Sequence, residues 1–265
     1  MSSSSSLFTV DTGQKRLYEV EVVHHNVTIN GLPTSSDGIC FVHLTDIHAG
    51  YGNTDPVYEE TIARVNAIAP DYLLITGDFI DDHTVREYPL PALLNRFKPK
   101  HGTYVTFGNH DHRRGIAETI EVLERCDVTI LNNANVQTEQ GLWLVGVDDY
   151  YEGWPNLQKA FAGVPDDVTP VLLSHNPTML ESVDNRDVLQ LSGHTHGGQI
   201  NLPFPSPRLV IKLHLRCDYV AGWYSRGKAR MYLSRGLGVT GKPFRYKCPG
   251  EIGVFHLHSP SAGVK

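Results

Sequence analysis

Five stretches of this chain are apolar enough to lie buried on both faces of a sheet, and each breaks off at a loop that opens with residues able to bind a cation. Residues 39–44 lead into Asp46 and His48, residues 72–76 into Asp78, and residues 103–107 into Asn109 and His110. Residues 170–174 run into His175, and residues 188–191 into His194 and His196. Short apolar runs of this kind mark the interior strands of a largely parallel sheet, whose covered faces require helices. In such sheets, sites form beyond the carboxyl ends of the strands. The pattern therefore predicts both an α/β architecture and the place where these side chains meet. Any one of the loops has an ordinary structural explanation, because Asp and Asn are common turn residues. Five in succession do not.

The segments between the runs fit the same architecture. Thr54-Asp55-Pro56 is a helix start, a cap followed by proline at the first helical position; Ile62, Val65 and Ile68 give that helix one apolar face, and Pro70 stops it. Further helices are predicted over residues 90–97, 116–126 and 156–161, and further strands over 18–23, 26–31, 128–131, 134–137 and 142–147. After residue 199 the chain turns β-rich, with strands expected near 218–220, 230–233 and 252–255. Strands that alternate with helices and then follow one another read as α/β with an added β portion. No linker, long charge run or repeat divides the chain, so residues 16–265 are expected to form one domain. The serine run Ser2 to Ser6 is low in complexity, and residues 1–15 are expected to be disordered.

Charge and cysteine usage narrow the function. A net charge of −6 argues against bulk electrostatic binding of nucleic acid. Cys40, Cys126, Cys217 and Cys248 form no CxxC pair, which argues against thiolate zinc and for free thiols in a reducing compartment. Neither a secretory signal nor an apolar run long enough to span a bilayer is present, so a cytoplasmic location is expected. The fourteen histidines are many for 265 residues and want an explanation.

Asp46-x-His48, Gly77-Asp78-x-x-Asp81, Gly108-Asn109-His110-Asp111, His175 and Gly193-His194-x-His196 resemble, in order, the five motifs of the calcineurin-like metallophosphoesterases. The resemblance covers residues 39–199. It implies a four-layer αββα sandwich, two mixed sheets flanked by helices, with a dimetal site on one sheet edge. It also implies that Asp46, His48 and His196 hold one divalent ion, that Asn109, His175 and His194 hold the other, and that Asp78 bridges them. The expected reaction is hydrolysis of a phosphodiester or pyrophosphate by a metal-bridging hydroxide. Gly197-Gly198-Gln199, with residues 234–238 and 248–251, is similar to a bacterial phosphodiesterase branch that includes UDP-diacylglucosamine pyrophosphatases. That similarity implies a small phosphoester or nucleotide-lipid substrate. A phosphomonoesterase or protein phosphatase is the alternative, and a non-catalytic scaffold of this fold would be expected to lack ligands that are all present here.

The donor chemistry agrees independently. Imidazole, carboxylate and amide ligands without thiolate suit Mn, Fe, Zn or Ni in a catalytic rather than a structural site. Seven ligands exceed the needs of one tetrahedral ion and suit two ions that share a carboxylate. His110 is not needed to complete either shell and is placed to protonate the leaving oxygen as general acid, with Asp81 orienting it. Arg113 and Arg114 are candidates to grip a phosphate, and His112 for a supporting role. Asp148, Asp149, Tyr150 and Tyr151 either line the pocket or make a turn, and Gln199 either touches substrate or is structural. The glycines around His194 and His196 are expected to leave the rim open to substrate. Residues 211–216 alternate apolar and basic, the pattern of a half-exposed strand; the second reading makes 208–216 a lip for peripheral contact with a membrane or an anionic lipid.

Overall fold

A computed structural model describes residues 2–11, 16–50, 55–80 and 90–260. Its strands are β1 (Ser2–Asp11), β2 (Arg16–Thr28), β3 (Cys40–Leu44), β4 (Tyr72–Thr76), β5 (Thr103–Thr106), β6 (Thr129–Ile130), β7 (Ala134–Gln137), β8 (Trp143–Gly146), β9 (Val171–Leu173), β10 (Leu189–Ser192), β11 (Gly222–Arg226), β12 (Ala229–Leu233) and β13 (Gly250–His258). The helices are α1 (Asp55–Ile68), α2 (Leu90–Leu94), α3 (Asn109–Leu123), α4 (Leu157–Ala160) and α5 (Pro207–Leu215). Seven strands form one sheet in the order β1-β2-β13-β3-β4-β5-β6, and six form a second in the order β11-β12-β10-β9-β8-β7. Both mix parallel and antiparallel pairs: β3, β4, β5 and β6 run parallel, as do β8, β9, β10 and β12, whereas β13 is antiparallel to β3.

Alternation along the strands builds the layers, since successive side chains point to opposite faces. Phe41, Tyr72 and Leu74 face Val171, Leu173, Leu189 and Leu191 across the interface between the sheets. From the same strands, Val42, Leu44, Leu73 and Ile75 turn outward onto Val57, Ile62, Val65, Leu93 and Leu123 of the helices. On the far side Val145, Leu172 and Met231 pack against Ala160, Phe161 and Leu180. Helix, sheet, sheet and helix are therefore the four layers expected, with one helical layer built from short pieces. Among the described residues no helix is long and apolar enough to cross a membrane. The four cysteines are free thiols.

Local expectations are corrected in five places. The strands expected at 18–23 and 26–31 are one continuous strand, β2, which ends at Thr28. Within the segment 1–15, Ser2–Asp11 forms a strand that pairs antiparallel with β2, Ser2 opposite Asn26 and Ser6 opposite Val22, while residues 1 and 12–15 lie outside the described residues. Strand pairing uses main-chain groups that a serine run supplies as well as any other sequence, and β2 offers an edge to pair with. Residues 211–216 form no strand: they are the end and C-cap of helix α5, whose start is set by Pro207 at its first position and by the Ser206 hydroxyl, which accepts from the Leu209 amide at 3.4 Å. Ile211 turns inward while Leu213 stays exposed, a helical rather than an alternating burial. The strand expected at 218–220 lies instead at Gly222–Arg226. Helix α3 begins earlier than residue 116: Asn109 to Arg114 form its first turns, before a break at Gly115 with φ of +120°.

One buried polar group yields a pH prediction. His25 on β2 is 3% exposed, its ring packs 4.3 Å from that of Tyr232 and 4.7 Å from that of Phe255, and neither ring nitrogen has a hydrogen-bond partner. Burial, reinforced by neighbouring His24, pushes its pKa down to about 4. The unfolded chain therefore takes up this proton first, and stability falls as pH drops from about 6.5 toward 4, by at most about 3 kcal/mol from this residue. His25→Phe keeps the ring packing and removes the titration. Denaturant unfolding from pH 7 to 4 is expected to show a shallower decline by about one proton in that variant; an unchanged slope would show that His25 is not the buried neutral group.

Candidate metal centre

The ligand-type residues sit where the strands stop. Asp46 and His48 follow β3, Asp78 follows β4 and Asn109 follows β5 in the first sheet; His175 follows β9, and His194 and His196 follow β10 in the second. The site thus lies at the carboxyl ends of strands from both sheets, not on the edge of one. The chain reaches it through left-handed turns. Asp46, His48, Asp78, His194 and His196 have φ of +51°, +44°, +53°, +78° and +52°. Side-chain-bearing residues avoid this region at a cost of about 1 kcal/mol or more each. Five of the seven expected ligands sharing it marks a place where aim outweighs local comfort.

The donor atoms converge. His48 Nε2 faces His196 Nε2 at 3.2 Å, and His196 Nε2 lies 3.3 Å from Asp46 Oδ1. Asn109 Oδ1 lies 3.1 Å from His175 Nε2 and 2.7 Å from His194 Nδ1. Asp78 Oδ2 lies between the two groups, 3.2 Å from His175 Nε2 and 3.6 Å from His48 Nε2. Atoms bound at about 2.1 Å to one tetrahedral cation stand about 3.4 Å apart, so these spacings suit metal ligands. Three overlapping sets keep their donor atoms within 4.8 Å: Asp46, His48 and His196; His48, Asp78 and His110; and Asp46, Asp78 and His175.

The electrostatics ask for positive charge. Asp46 and Asp78 are buried, which alone would raise their pKa values, yet the facing His196 and His175 hold both well below the usual carboxylate range. His194 is pushed by burial, with His175 beside it, down to about 3, so its ring stays neutral with a lone pair to give. Burial also lowers His196 against the pull of Asp46. His175 goes the other way: burial opposes its charge, but Asp78 wins and raises its pKa well above the ordinary value. Its Nδ1 lies 2.8 Å from the Thr76 carbonyl oxygen, to which it donates, so the second proton sits on Nε2, where a cation would compete for the same lone pair. Two buried carboxylates with only His175 to answer their charge, the His194 and His196 rings being neutral, are costly without a cation. The donor set fits a divalent cation.

His110 occupies the border of this group. Its main-chain amide donates to Asp78 Oδ1 at 2.9 Å, and its half-buried ring meets the His48 ring edge-on, centroids 4.8 Å apart. Asp81, expected to orient it, lies outside the described residues. Arg113 is held by Glu152 through two nitrogens at 2.8 and 2.9 Å. His112 pairs with Asp148 at 2.6 Å; burial disfavours its charge, but Asp148 prevails and raises its pKa. Asp149 caps the turn that presents Tyr151, whose ring stands 6.5 Å from that of His194. Gln199 is structural: its amide nitrogen reaches the carbonyls of Thr240 at 3.0 Å and Lys242 at 2.9 Å, and its oxygen accepts from the Thr240 amide.

Two supports of the site carried no reading in the sequence. Buried Asp111 takes the amides of Asp78 and Gly108 on one oxygen, both at 2.8 Å, and that of Phe79 on the other at 3.1 Å, locking two ligand loops together. Burial and neighbouring Asp78 push its pKa up to about 7 against those donors. Its place three residues after Gly108, in the first helical turn, was the available signal. Buried Arg245 binds the carbonyls of Arg235 at 2.8 Å, Gly236 at 3.1 Å and His196 at 3.3 Å, bracing the turn behind His196. An arginine 49 residues from its partner leaves no local trace.

The glycines serve a different purpose from the one expected. A Cβ on Gly193 would collide with Thr45 Oγ1 and Asp46 Oδ2, so its absence lets both Asp46 oxygens reach the His194 amide at 3.0 Å. At Gly197 and Gly198, φ is +59° and +87°, and added Cβ atoms would meet Arg235 and Cys248, or Asn201 and Pro207. These positions admit close packing behind the ligands rather than an open rim.

Comparison with known proteins places this geometry. The pattern of the calcineurin-like phosphoesterase family matches residues 40–198, more than half of the 265-residue chain. The chain is 31% identical over 248 residues to an uncharacterized metallophosphoesterase, YkuE, of Bacillus subtilis, covering 91% of this chain and 86% of that protein. An uncharacterized metallophosphoesterase of Helicobacter pylori is 34% identical over 224 residues, 81% of this chain and 58% of that one. The fold also aligns with the 5'-nucleotidase precursor of Thermus thermophilus at a TM-score of 0.50 and 16% identity, over 83% of this chain and 54% of that one. The chain thus spans little more than half the length of the Helicobacter protein and of the nucleotidase. With its pattern matched over those residues and a relative of similar extent, the chain belongs to the calcineurin-like phosphoesterase family.

Proposed function

We propose that the chain hydrolyses a phosphodiester or pyrophosphate bond with two divalent cations held between the ends of its two sheets. Asp78 is the observation that carries the number two: its Oδ2 stands between His48 and His175, which belong to different donor groups. Asp46, His48 and His196 would hold one cation, Asn109, His175 and His194 the other, with Asp78 common to both. Such a pair, when bound, supplies Lewis-acid charge to the phosphoryl oxygens and brings the pKa of water to about 7.

The chain's own groups do the rest. The Thr76 carbonyl fixes the ring of His175 by accepting from Nδ1, which turns Nε2 toward the centre. The Asp46 carboxylate, held by the His194 amide, keeps the first and fifth motifs at one place. His110, seated beside Asp78 by its own amide, gives its ring proton to the leaving oxygen, and Asp81 orients it. Support for a diester or pyrophosphate comes from the three segments similar to the bacterial phosphodiesterase branch. They come together behind His196: Gly197 abuts Arg235 and Cys248, and Arg235 Nε donates to Glu251 at 2.6 Å.

Chelator-treated protein is expected to lose activity and regain it with Mn, Fe, Zn or Ni. With metal restored, a chromogenic diester is expected to exceed the matching monoester by about tenfold or more in kcat/KM, a difference of about 1.4 kcal/mol in transition-state binding. Preference for the monoester would replace this reading with a phosphomonoesterase.

A further inference from the structure

Beside the metal centre the surface changes character. Residues 197–217 and 236–250 contain no Asp or Glu, in a chain whose net charge is −6. The same two segments carry Arg208, Lys212, Arg216, Lys242 and Lys247 on the surface. They also carry six of the nine large apolar side chains exposed among the described residues, led by Phe204 at 83% and Leu213 at 68%. Single exposed apolar residues need no explanation, but a cluster rimmed by one sign of charge does.

The two segments form one surface. Ile200 bridges to Tyr246, the Asn201 amide donates to the Tyr246 carbonyl at 2.9 Å, and Gln199 ties down the carbonyls of Thr240 and Lys242. Helix α5 meets this base where Pro207 abuts Gly198, buries Ile211, and leaves Leu209 and Leu213, one turn apart, facing outward. Arg208 and Lys212 recur at the same interval and form a basic stripe beside them, and Arg216 follows at the left-handed end of the helix. Asp218, just outside the segments, pairs with Lys212 at 2.8 Å; both are exposed, and such a pair is weak. Lys247 lies over the Tyr246 ring, 5.5 Å from its centroid.

We propose that this face docks on an anionic lipid bilayer, with Phe204, Leu213 and their apolar neighbours entering the headgroup boundary and the basic stripe facing the lipid phosphates. A short amphipathic helix with basic and apolar sides is the form such contacts take. Charge complementarity selects a negative surface: a field concentrated on this side lets a protein of net −6 approach anionic lipid. Because His196 and Gln199 lie at the root of the same surface, docking turns the metal centre toward the interface.

The proposal does not rest on the activity, so the full chain is tested after chelator treatment. Sedimentation with phosphatidylcholine vesicles, with and without phosphatidylglycerol, is expected to show binding only to the anionic ones, weakening as salt is raised. Phe204→Ser with Leu213→Ser is expected to lower the partition coefficient by about tenfold or more, and Arg208→Gln with Lys212→Gln by roughly 25-fold. Hydrolysis of a soluble diester by the metal-loaded variants is expected to match the parent, which also shows that they fold. Equal binding to both vesicle types, none to either, or binding indifferent to all four substitutions would overturn the proposal. So would a dimer that these substitutions dissociate, because a second copy would then be what covers the face.

Discussion

Asp78→Ala is expected to lower kcat/KM by roughly 10⁴-fold while leaving a folded protein that no longer retains its metal. Asp78 Oδ2 stands 3.2 Å from His175 Nε2 and 3.6 Å from His48 Nε2, so one truncation takes a donor from both halves of the centre. It also removes one of the two buried negative charges around which the imidazoles are arranged. The fold has reason to survive, because the Asp78 amide, held by Asp111 at 2.8 Å, keeps the loop in place. Asp78→Asn separates charge from shape: its amide oxygen can still accept from the His110 amide, which donates to Oδ1 at 2.9 Å in the parent. Metal content and hydrolysis measured together for both variants check the assignment. Loss of metal and rate in both is the expected result. A variant that binds two ions per chain and hydrolyses as fast as the parent would overturn the shared role of Asp78.

The parts of the site legible in the sequence are those whose signal is local. Each expected ligand closes its own apolar strand, so Asp46, Asp78, Asn109, His175 and His194 announce themselves without knowledge of one another. Their convergence then follows from how parallel strands share an end. The supports are not local. Arg245 braces a turn 49 residues away, and the value of Gly193 lies in the approach of Thr45 and Asp46 from another sheet. The left-handed backbone at five ligand positions is likewise invisible, because nothing in the residues Asp and His demands it; the two-sheet geometry does.

The errors have equally specific causes. Residues 211–216 alternate in polarity, but Ser206-Pro207 is a helix start, and that local capping signal prevails over the alternation. In the serine run, composition says little about pairing when β2 offers an edge, and the ladder from Ser2 to Ser6 forms through main-chain groups. In both places the backbone decided, through a cap or a free edge, what side-chain pattern alone did not.

His110→Ala gives the second large expected effect, and its size depends on the substrate. The contact between residue 110 and Asp78 is made by the main-chain amide, at 2.9 Å, so truncating the side chain leaves that anchor intact. Nor does either proposed donor set need the His110 ring, so metal content is expected to stay at the parent level. What disappears is a ring next to the His48 and Asp78 donors, on the border of the centre, where a leaving oxygen requires a proton. Proton donation of this kind contributes about 10²- to 10⁴-fold when the leaving group is a poor one. An alkoxide or sugar leaving group should therefore show that full loss, whereas a nitrophenolate, stable without a proton, should show little. The slope of log kcat against leaving-group pKa is expected to steepen in the variant, a readout that a purely structural role for the ring would not move. Equal losses on all leaving groups, with metal retained, would instead make His110 a positioning residue and leave the proton to another donor.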